Sequence, residues 1–265
     1  AGKLTLRAGT GIVILDNMNG ALADKALVMH ADFESAGDGV LTVWTNKTVT
    51  SSKSDVTITA WDVDLDGSLT SGTKTVSVHG AKVGQTIGLG STVKDMQIED
   101  GELQRMTATG GLRVGGSLGG SVTVDGVTAL GSNTVLPVVS LVALNDDAQA
   151  VFSTAASTFN ALTARADNGV IVSVDVTSTV GAVYLDGDAD DSSSADGVNI
   201  VTFAHNVTAT AKAVMTLEAS AGSIEAAGKL TLRAGTGIVI LDNMNGALAD
   251  KALVMHADFE SAGDG

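Results

Sequence analysis

One long stretch of sequence occurs twice in this chain. Residues 1–39 and residues 227–265 are identical letter for letter, so the sequence begins again at position 227. Identity over so long a stretch indicates a tandem array seen through a window slightly longer than one unit. We therefore expect both chain ends to be cuts in a longer polymer, with 1–226 as one full unit and 227–265 as the start of the next. A period beyond the usual ~20–50 residues also predicts smaller repeats inside the unit.

The composition favours narrow, regular β-structure. The chain is 44% hydrophobic but only 3% aromatic, and it has 32 glycines and one proline. Small, aliphatic and β-branched residues with many glycines suit short strands joined by tight turns. Helical bundles need more Leu, Glu and Lys, and disordered chains are less hydrophobic, so the composition argues against both classes.

The formal net charge of −15 bears on partners. An acidic surface repels phosphate backbones and anionic lipids, so we expect neither nucleic acid nor a membrane as a partner. No run of about 18 apolar residues exists, so membrane insertion is not expected. The same charge can keep a fibre with an apolar core soluble, and it can attract cations. Without cysteine, the chain has no disulfide framework.

A short apolar triplet recurs along the unit. Leu4, Leu6 and Ala8 alternate with polar residues, which is the pattern of a half-buried strand, and a glycine turn follows. The pattern apolar-x-apolar-x-small returns at Leu27-Met29-Ala31, Val56-Ile58-Ala60, Val76-Val78-Gly80, Leu112-Val114-Gly116, Val139-Leu141-Ala143, Leu162-Ala164-Ala166, Val183-Leu185-Gly187, Met215-Leu217-Ala219 and Leu230-Leu232-Ala234. Nine instances fall within the unit 1–226, at a mean spacing of about 25 residues, which is a period typical of solenoid repeats.

This period predicts an all-β fold, a parallel β-helix (β-solenoid) of about nine coils per unit, continuous with the next unit and without a linker. The small residue that ends each triplet fits a narrow corner, where only Ala or Gly has room. An array of antiparallel β-sandwiches is the alternative, because such domains also show short strands every ~8–12 residues. The single proline and the even composition favour the solenoid. The polar interval 95–105 is expected to be a turn or an outward excursion.

Three stretches carry a family resemblance. GSIEAAGKLTLRAGTGIVI (222–240), LTARADNGVIVSV (162–174) and VTITAWDVDLDGSLTSGTKTVSV (56–78) resemble the repeats of filamentous-haemagglutinin-type adhesins and related giant surface proteins. The resemblance covers most of the chain, through apolar alternation, Ala and Gly. It implies a right-handed parallel β-helix that forms a long extracellular or cell-surface shaft. Family repeats usually diverge, whereas 1–39 and 227–265 do not differ at any position.

Two acidic turns are candidate calcium sites. The candidate ligands are Asp62, Asp64 and Asp66 in the first turn, and Asp186, Asp188, Asp190 and Asp191 in the second. A helix-loop-helix calcium loop also needs a bidentate acid at its twelfth position. That position is Thr73 or Gly197 here, and the flanks are strand-like. Asp and Gly also make good turns without metal, and residues 30–39 run in the same outline as 186–197. Calcium is therefore one interpretation and a metal-free structural turn is the other.

Two sequons are candidate glycosylation sites. Asn46-Lys47-Thr48 and Asn206-Val207-Thr208 match the acceptor pattern for N-linked sugar. In a source that glycosylates, Asn46 and Asn206 would carry glycans at exposed positions. In any other source they are outward residues of a strand ladder.

The histidines do not indicate an active site. His30, its copy His256, His79 and His205 each stand alone, without an acid at metal or triad spacing. Catalytic dyads need facing groups in perturbed environments, and a repeated array is an unusual host for them. We therefore expect no enzymatic activity. Threonine pairs do not recur at a fixed position of the coil, which argues against ice binding.

Taken together, these patterns predict a structural repeat of a long extracellular filament or surface fibre that stacks end to end with identical repeats. An adhesin stalk that binds glycan or a host surface through a side face is the alternative. A polysaccharide-degrading β-helix enzyme is the remote alternative, and it predicts a cluster of facing carboxylates.

Overall fold

The structure is a computed structural model that describes residues 2–192, 198–263 and 265. In these described residues the chain winds through ten coils, and each coil runs along three faces in turn, which we call faces 1, 2 and 3. Neither of the two short helices in the described residues has the length or apolarity to cross a lipid bilayer.

The strands and helices follow one another coil by coil. The first five coils hold β1 (Leu4–Arg7), β2 (Gly11–Ile14), β3 (Met18–Asn19), β4 (Leu27–His30), β5 (Val40–Val43), β6 (Thr48–Thr50), β7 (Val56–Ala60), β8 (Asp62–Leu65), β9 (Ser68–Gly72), β10 (Val76–Gly80), β11 (Ile87–Gly90), β12 (Met96–Ile98), α1 (Asp100–Gln104), β13 (Met106–Ala108), β14 (Leu112–Gly116), β15 (Val122–Asp125) and α2 (Ala129–Ser132). The last five hold β16 (Val139–Ala143), β17 (Ala150–Phe152), β18 (Ser157–Phe159), β19 (Leu162–Ala166), β20 (Val170–Val172), β21 (Val176–Ser178), β22 (Val183–Asp186), β23 (Val201–Phe203), β24 (Val207–Ala211), β25 (Val214–Glu218), β26 (Ile224–Ala226), β27 (Leu230–Ala234), β28 (Gly237–Ile240), β29 (Met244–Gly246) and β30 (Leu253–His256).

Face 1 is one continuous ten-stranded sheet, in the order β1-β4-β7-β10-β14-β16-β19-β22-β25-β28. Face 2 consists of β2-β5-β8, followed by β12-β11-β15-β17-β20-β23-β26-β29. Face 3 consists of β3-β6-β9-β13, followed by β18-β21-β24-β27-β30. The strand pairs in all of these sheets are parallel. The predicted parallel β-helix is therefore confirmed, and the antiparallel sandwich is excluded.

The apolar triplets form the rungs of face 1. Their first residues pair in line from Leu4 through Leu27, Val56, Val76, Leu112, Val139, Leu162 and Val183 to Met215. The alternation places these side chains in one inner column that excludes water from coil to coil. The alanines that end the triplets, such as Ala31, Ala60 and Ala166, have no exposed surface, as expected for a narrow corner.

An extra strand interrupts the regular coil on face 2. After β11 the chain runs back outside its own strand and enters β12, which pairs with β11 in parallel. The return is close, because a Cβ on Gly88 would lie 2.6 Å from the carbonyl oxygen of Thr92. Helix α1 then leads to face 3. The turn or outward excursion expected at 95–105 is thus a return loop, a strand and a helix, because Met96, Ile98 and Leu103 bury fully in the core.

The second copy of the duplicated stretch does not begin on face 1. Its first strand, β27, lies on face 3, and its second strand, β28, follows β25 on face 1. The unit therefore spans eight coils and two faces of a ninth, close to the predicted nine. The Leu230-Leu232-Ala234 triplet is consequently not the next rung of face 1, where Ile238 lies instead.

Candidate functional site

The first acidic stretch was predicted as a turn, but Asp62 and Asp64 lie in strand β8, and the stretch lines an open cleft where the extra strand enters face 2. Strand β8 directs Val63 and Leu65 into the core, which leaves Asp64 exposed and Asp62 half-buried. Gln97 of β12 and the residues of α1 close the other side. The cleft has a volume of about 240 Å³ and is lined by Asp62, Val63, Asp64, Asp66, Gln97, Glu99, Glu102 and Arg105.

Glu102 is the buried acid of this cleft, with 7% of its surface exposed. One carboxyl oxygen accepts a hydrogen bond from the backbone N–H of Leu65 at 2.8 Å, and the other accepts one from Glu99 N–H at 2.8 Å. Burial raises the pKa of Glu102 to about 7, and the neighbouring charges of Glu99 and Asp62 add to the rise. Both oxygens are occupied, so the group caps α1 and ties it to β8.

Asp62 also joins β8 to the inserted strand. Its Oδ1 accepts hydrogen bonds from the backbone N–H of Gln97 at 2.8 Å and of Val63 at 2.9 Å. Burial raises the pKa of Asp62 although both bonds favour the carboxylate. Arg105 completes the joint, because its Nε donates to the carbonyl oxygen of Leu65.

Glycan-cleaving sites pair one carboxyl of raised pKa with one that stays ionised, whereas the pKa values of Asp62 and Glu102 in this cleft are both raised. Here, however, both acids accept hydrogen bonds from backbone N–H groups in the walls of the cleft. The arrangement therefore fastens an inserted strand and helix to the solenoid. Gln97, Glu102 and Arg105 were not predicted as site residues from the sequence; the spacing of Glu99 and Glu102, typical of a helix start, was the available signal.

The second acidic turn follows β22 at the end of face 1. Asp186 is 2% exposed, and its Oδ2 pairs with Nε of Arg165 at 2.9 Å. The Tyr184 hydroxyl lies 3.4 Å from the same oxygen and also donates to Glu218. Burial raises the pKa of Asp186, although the Arg165 guanidinium opposes the rise. These side chains form a ladder of polar contacts across three neighbouring strands of the sheet.

Among the described residues in and next to this turn, two side-chain oxygens are buried without a hydrogen bond. Asp188 is 1% exposed, and its Oδ2 accepts from Ala221 N–H at 2.5 Å, but its Oδ1 has no partner. The amide oxygen of Asn199 is likewise without a partner. Burial raises the pKa of Asp188, and Asp190 and Asp191 reinforce the rise.

The calcium interpretation gains no ligand set from these positions. In the part of the chain that the structure describes, no three His, Cys, Asp or Glu side chains are grouped so that they could hold a metal ion. The predicted resemblance of 186–197 to 30–39 falls partly on residues 193–197, which lie outside the described residues. Calcium at Asp186, Asp188, Asp190 and Asp191, and at Asp62, Asp64 and Asp66, stays a prediction.

Both sequon asparagines lie at the same corner of the coil, between faces 2 and 3. Asn46 and Asn206 are exposed and have φ angles of 61° and 68°. Asparagine tolerates this left-handed conformation better than most residues, so the turn itself accounts for the residue type. Glycosylation at Asn46 and Asn206 stays a prediction, at exposed positions.

Two of the four histidines, His79 and His30, have structural surroundings. His79 Nδ1 lies 2.6 Å from the carbonyl oxygen of Gly115, and burial lowers the pKa of His79. The ring of His30 packs edge-on against Phe33 with centroids 5.3 Å apart, and burial lowers the pKa of His30. Each ring thus belongs to a corner of the solenoid.

Comparison with protein-family models, curated proteins and solved structures found no match to this chain. The assignment of function therefore depends on the repeat and on the geometry of the solenoid.

Proposed function

We propose that this chain is a structural segment of a long extracellular or cell-surface filament in which identical units follow one another as one solenoid. The observation that carries this proposal is the second copy of the duplicated stretch. It continues the same parallel ladders, and Leu230, Leu232 and Ala234 bury fully on the preceding coil. The start of a unit therefore fits the end of a unit.

The mechanism of such a filament is mechanical. Backbone hydrogen bonds along each face run parallel to the long axis, so stretching the filament loads many of them together. The aliphatic column inside excludes water, and burying one Leu side chain stabilises the fold by roughly 1.5–3 kcal/mol. The net charge of −15 keeps neighbouring fibres apart in solution.

The polar features of the solenoid support this proposal over an enzyme or a glycan-binding face. The acids of the cleft accept hydrogen bonds from backbone N–H groups. Phe33 is partly exposed, and the Arg7 guanidinium packs over one side of its ring, with Cζ 4.7 Å from the ring centroid. The ring therefore belongs to a packed corner of the coil. We propose the unit itself as the partner of the unit, and assign no nucleic acid or lipid partner.

The intact mass of the protein from its source tests this function. A mass that contains several units of the length of 1–226, or filaments of solenoid width in electron micrographs, supports the proposal. A protein of about 26.5 kDa that remains monomeric at high concentration contradicts it. A glycan array with the full chain tests the adhesin alternative, because specific capture would favour adhesion.

A further inference from the structure

The same sequence occupies two different faces of this solenoid. Strand β1 lies on face 1 and pairs with β4, whereas its identical copy β27 lies on face 3 and pairs with β24 and β30. The copies of β2 and β3 are displaced in the same sense, because β28 lies on face 1 and β29 on face 2. Each strand of the second copy thus lies one face behind its counterpart in the first.

The local conformation is unchanged by this displacement. Leu4 pairs with Leu27, and their copies Leu230 and Leu253 pair in the same register. The φ angle is 139° at Gly11 and 144° at Gly237. Such matching indicates that the duplicated stretch fixes its own coil, whichever face it begins on.

The corner loop of the stretch also keeps its hydrogen bonds. The carboxylate of Asp32 accepts from two backbone N–H groups, those of Ala36 and Gly37, at 3.0 and 2.8 Å. Its copy Asp258 accepts from the equivalent N–H groups at 2.8 and 2.7 Å. The loop is therefore built by its own acid and not by the strands of one particular face.

Burial of identical side chains shows what the preceding coil contributes. Leu4 is 46% exposed, but its copy Leu230, which lies on Val207, is fully buried. The seat for the new copy is the edge formed by β24, β25 and β26. It receives the copy through Val207↔Leu230, Met215↔Ile238 and Ile224↔Met244.

We infer that this seat is the joint between units, that its partner is the next copy of the unit, and that the joint turns each unit by one face. This inference rests on the proposed function, since it describes how the filament continues. Every lateral feature then occupies the three faces in turn along the fibre. The acidic cleft, on face 2 here, would lie on face 1 in the next unit and on face 3 in the one after. Eight coils and two faces correspond to a rise of about 42 Å per unit at a strand spacing of ~4.8 Å.

The turning of successive clefts distributes them around the fibre. Distribution over three faces separates neighbouring clefts around the axis as well as along it. It also presents the same surface to all sides of the fibre.

Cysteine pairs in the full chain test the displacement, because the protein has no cysteine of its own. Thr208 pairs with Thr231 across β24 and β27, so the double variant Thr208→Cys with Thr231→Cys should form a disulfide on oxidation. Adjacent strands place Cα atoms about 4.8 Å apart, within the range that disulfides span.

The matched control is Thr216→Cys with Thr231→Cys. These residues would be neighbours if the second copy began on face 1, as the first copy does, but in this structure Thr216 pairs with Val239. We expect a cross-linking yield about tenfold lower for this control than for the first pair. Thr216→Cys with Val239→Cys provides a second pair that should cross-link. Efficient linkage of 216 to 231, without linkage of 208 to 231, would overturn the inference.

A map of the native filament separates this inference from the proposed function. Successive clefts on adjacent faces support the inference, whereas filaments with all clefts on one face overturn it and leave the proposed function intact. If 208 links to 231 but the protein never forms filaments, the displaced position of the second copy within the chain is confirmed. The inference that this edge joins successive units is then overturned, together with the proposed function.

Discussion

At the scale of single residues, Glu102 links the charge of the protein to its stability. The unfolded chain releases this proton near pH 4.5, whereas the folded chain retains it up to about pH 7. Folding therefore takes up a proton between these values. The sign follows from linkage: the contribution of this group to stability is greatest at or below about pH 4.5 and falls as the pH rises to about 7.

We therefore expect Glu102→Gln to flatten the pH dependence of stability. The variant has no proton to lose, although its amide cannot accept the Glu99 N–H bond and should weaken the cap by about 1 kcal/mol. Thermal unfolding of parent and variant across this pH window measures the difference. Asp64→Asn, at an exposed site of the same cleft, is the control. The thermal midpoint of the parent should fall more than that of Glu102→Gln as the pH rises across this window. An equal fall in both proteins would show that the Glu102 carboxyl is not neutral in the folded state.

The corner alanines make a second prediction at this scale. Ala60 is fully buried where the chain turns from face 1 to face 2, so Ala60→Leu should overpack the corner and destabilise the fold by about 1–3 kcal/mol. Denaturant unfolding measures this change. Ala156→Leu, at an exposed position, should have little effect. Equal midpoints for the two variants would mean that the corner has spare volume.

At the scale of elements, the return loop between β11 and β12 depends on a bare backbone. A Cβ at Gly88 would lie 2.6 Å from Thr92 O, so Gly88→Ala should push the loop away from its strand and lower the unfolding midpoint. Gly101→Ala is the matched control, because its nearest atom would be Arg105 Nη1 at 3.4 Å and alanine favours helix over glycine by ~1 kcal/mol. Hydrogen exchange at Met96–Ile98 locates the damage. Unchanged protection there in Gly88→Ala would argue against a close return.

The elements also show what could be predicted from the sequence. The apolar triplets from Leu4 to Met215 were predictable as stacked rungs, because alternation and a small corner residue are local signals. The face of Leu230 was not predictable, since the triplets of face 3, such as Val207-Ala209-Ala211, have the same pattern as those of face 1.

The acidic cleft was predictable only in part. Asp62 and Asp64 were recognised as candidate calcium ligands, because acids recur there at every second position. The burial of Glu102 was not, because it depends on an inserted strand and on a short helix, Asp100–Gln104. An interval with so many polar residues is interpreted as a turn, because the sequence does not show that its few apolar side chains are buried.

At the scale of the whole molecule, the acidic surface should make stability depend on salt. A net charge of −15 repels itself in the compact state, and an ionic strength of ~0.15 M screens charges beyond about 8 Å. We expect the thermal midpoint to rise between ~0.01 and ~0.15 M sodium chloride. Matched sucrose solutions separate screening from general exclusion effects. A midpoint that falls with added sodium chloride would show that surface ion pairs outweigh the repulsion.

The triangular cross-section has a consequence for how such chains change. The face on which a strand lies depends on how many strands precede it. Inserting or deleting one strand with its turn, ~8 residues, would therefore move every downstream strand by one face. Beyond the first coil after the change, every rung would keep the neighbours that it has now. The side of the filament on which a surface patch lies can therefore change without any substitution within the patch.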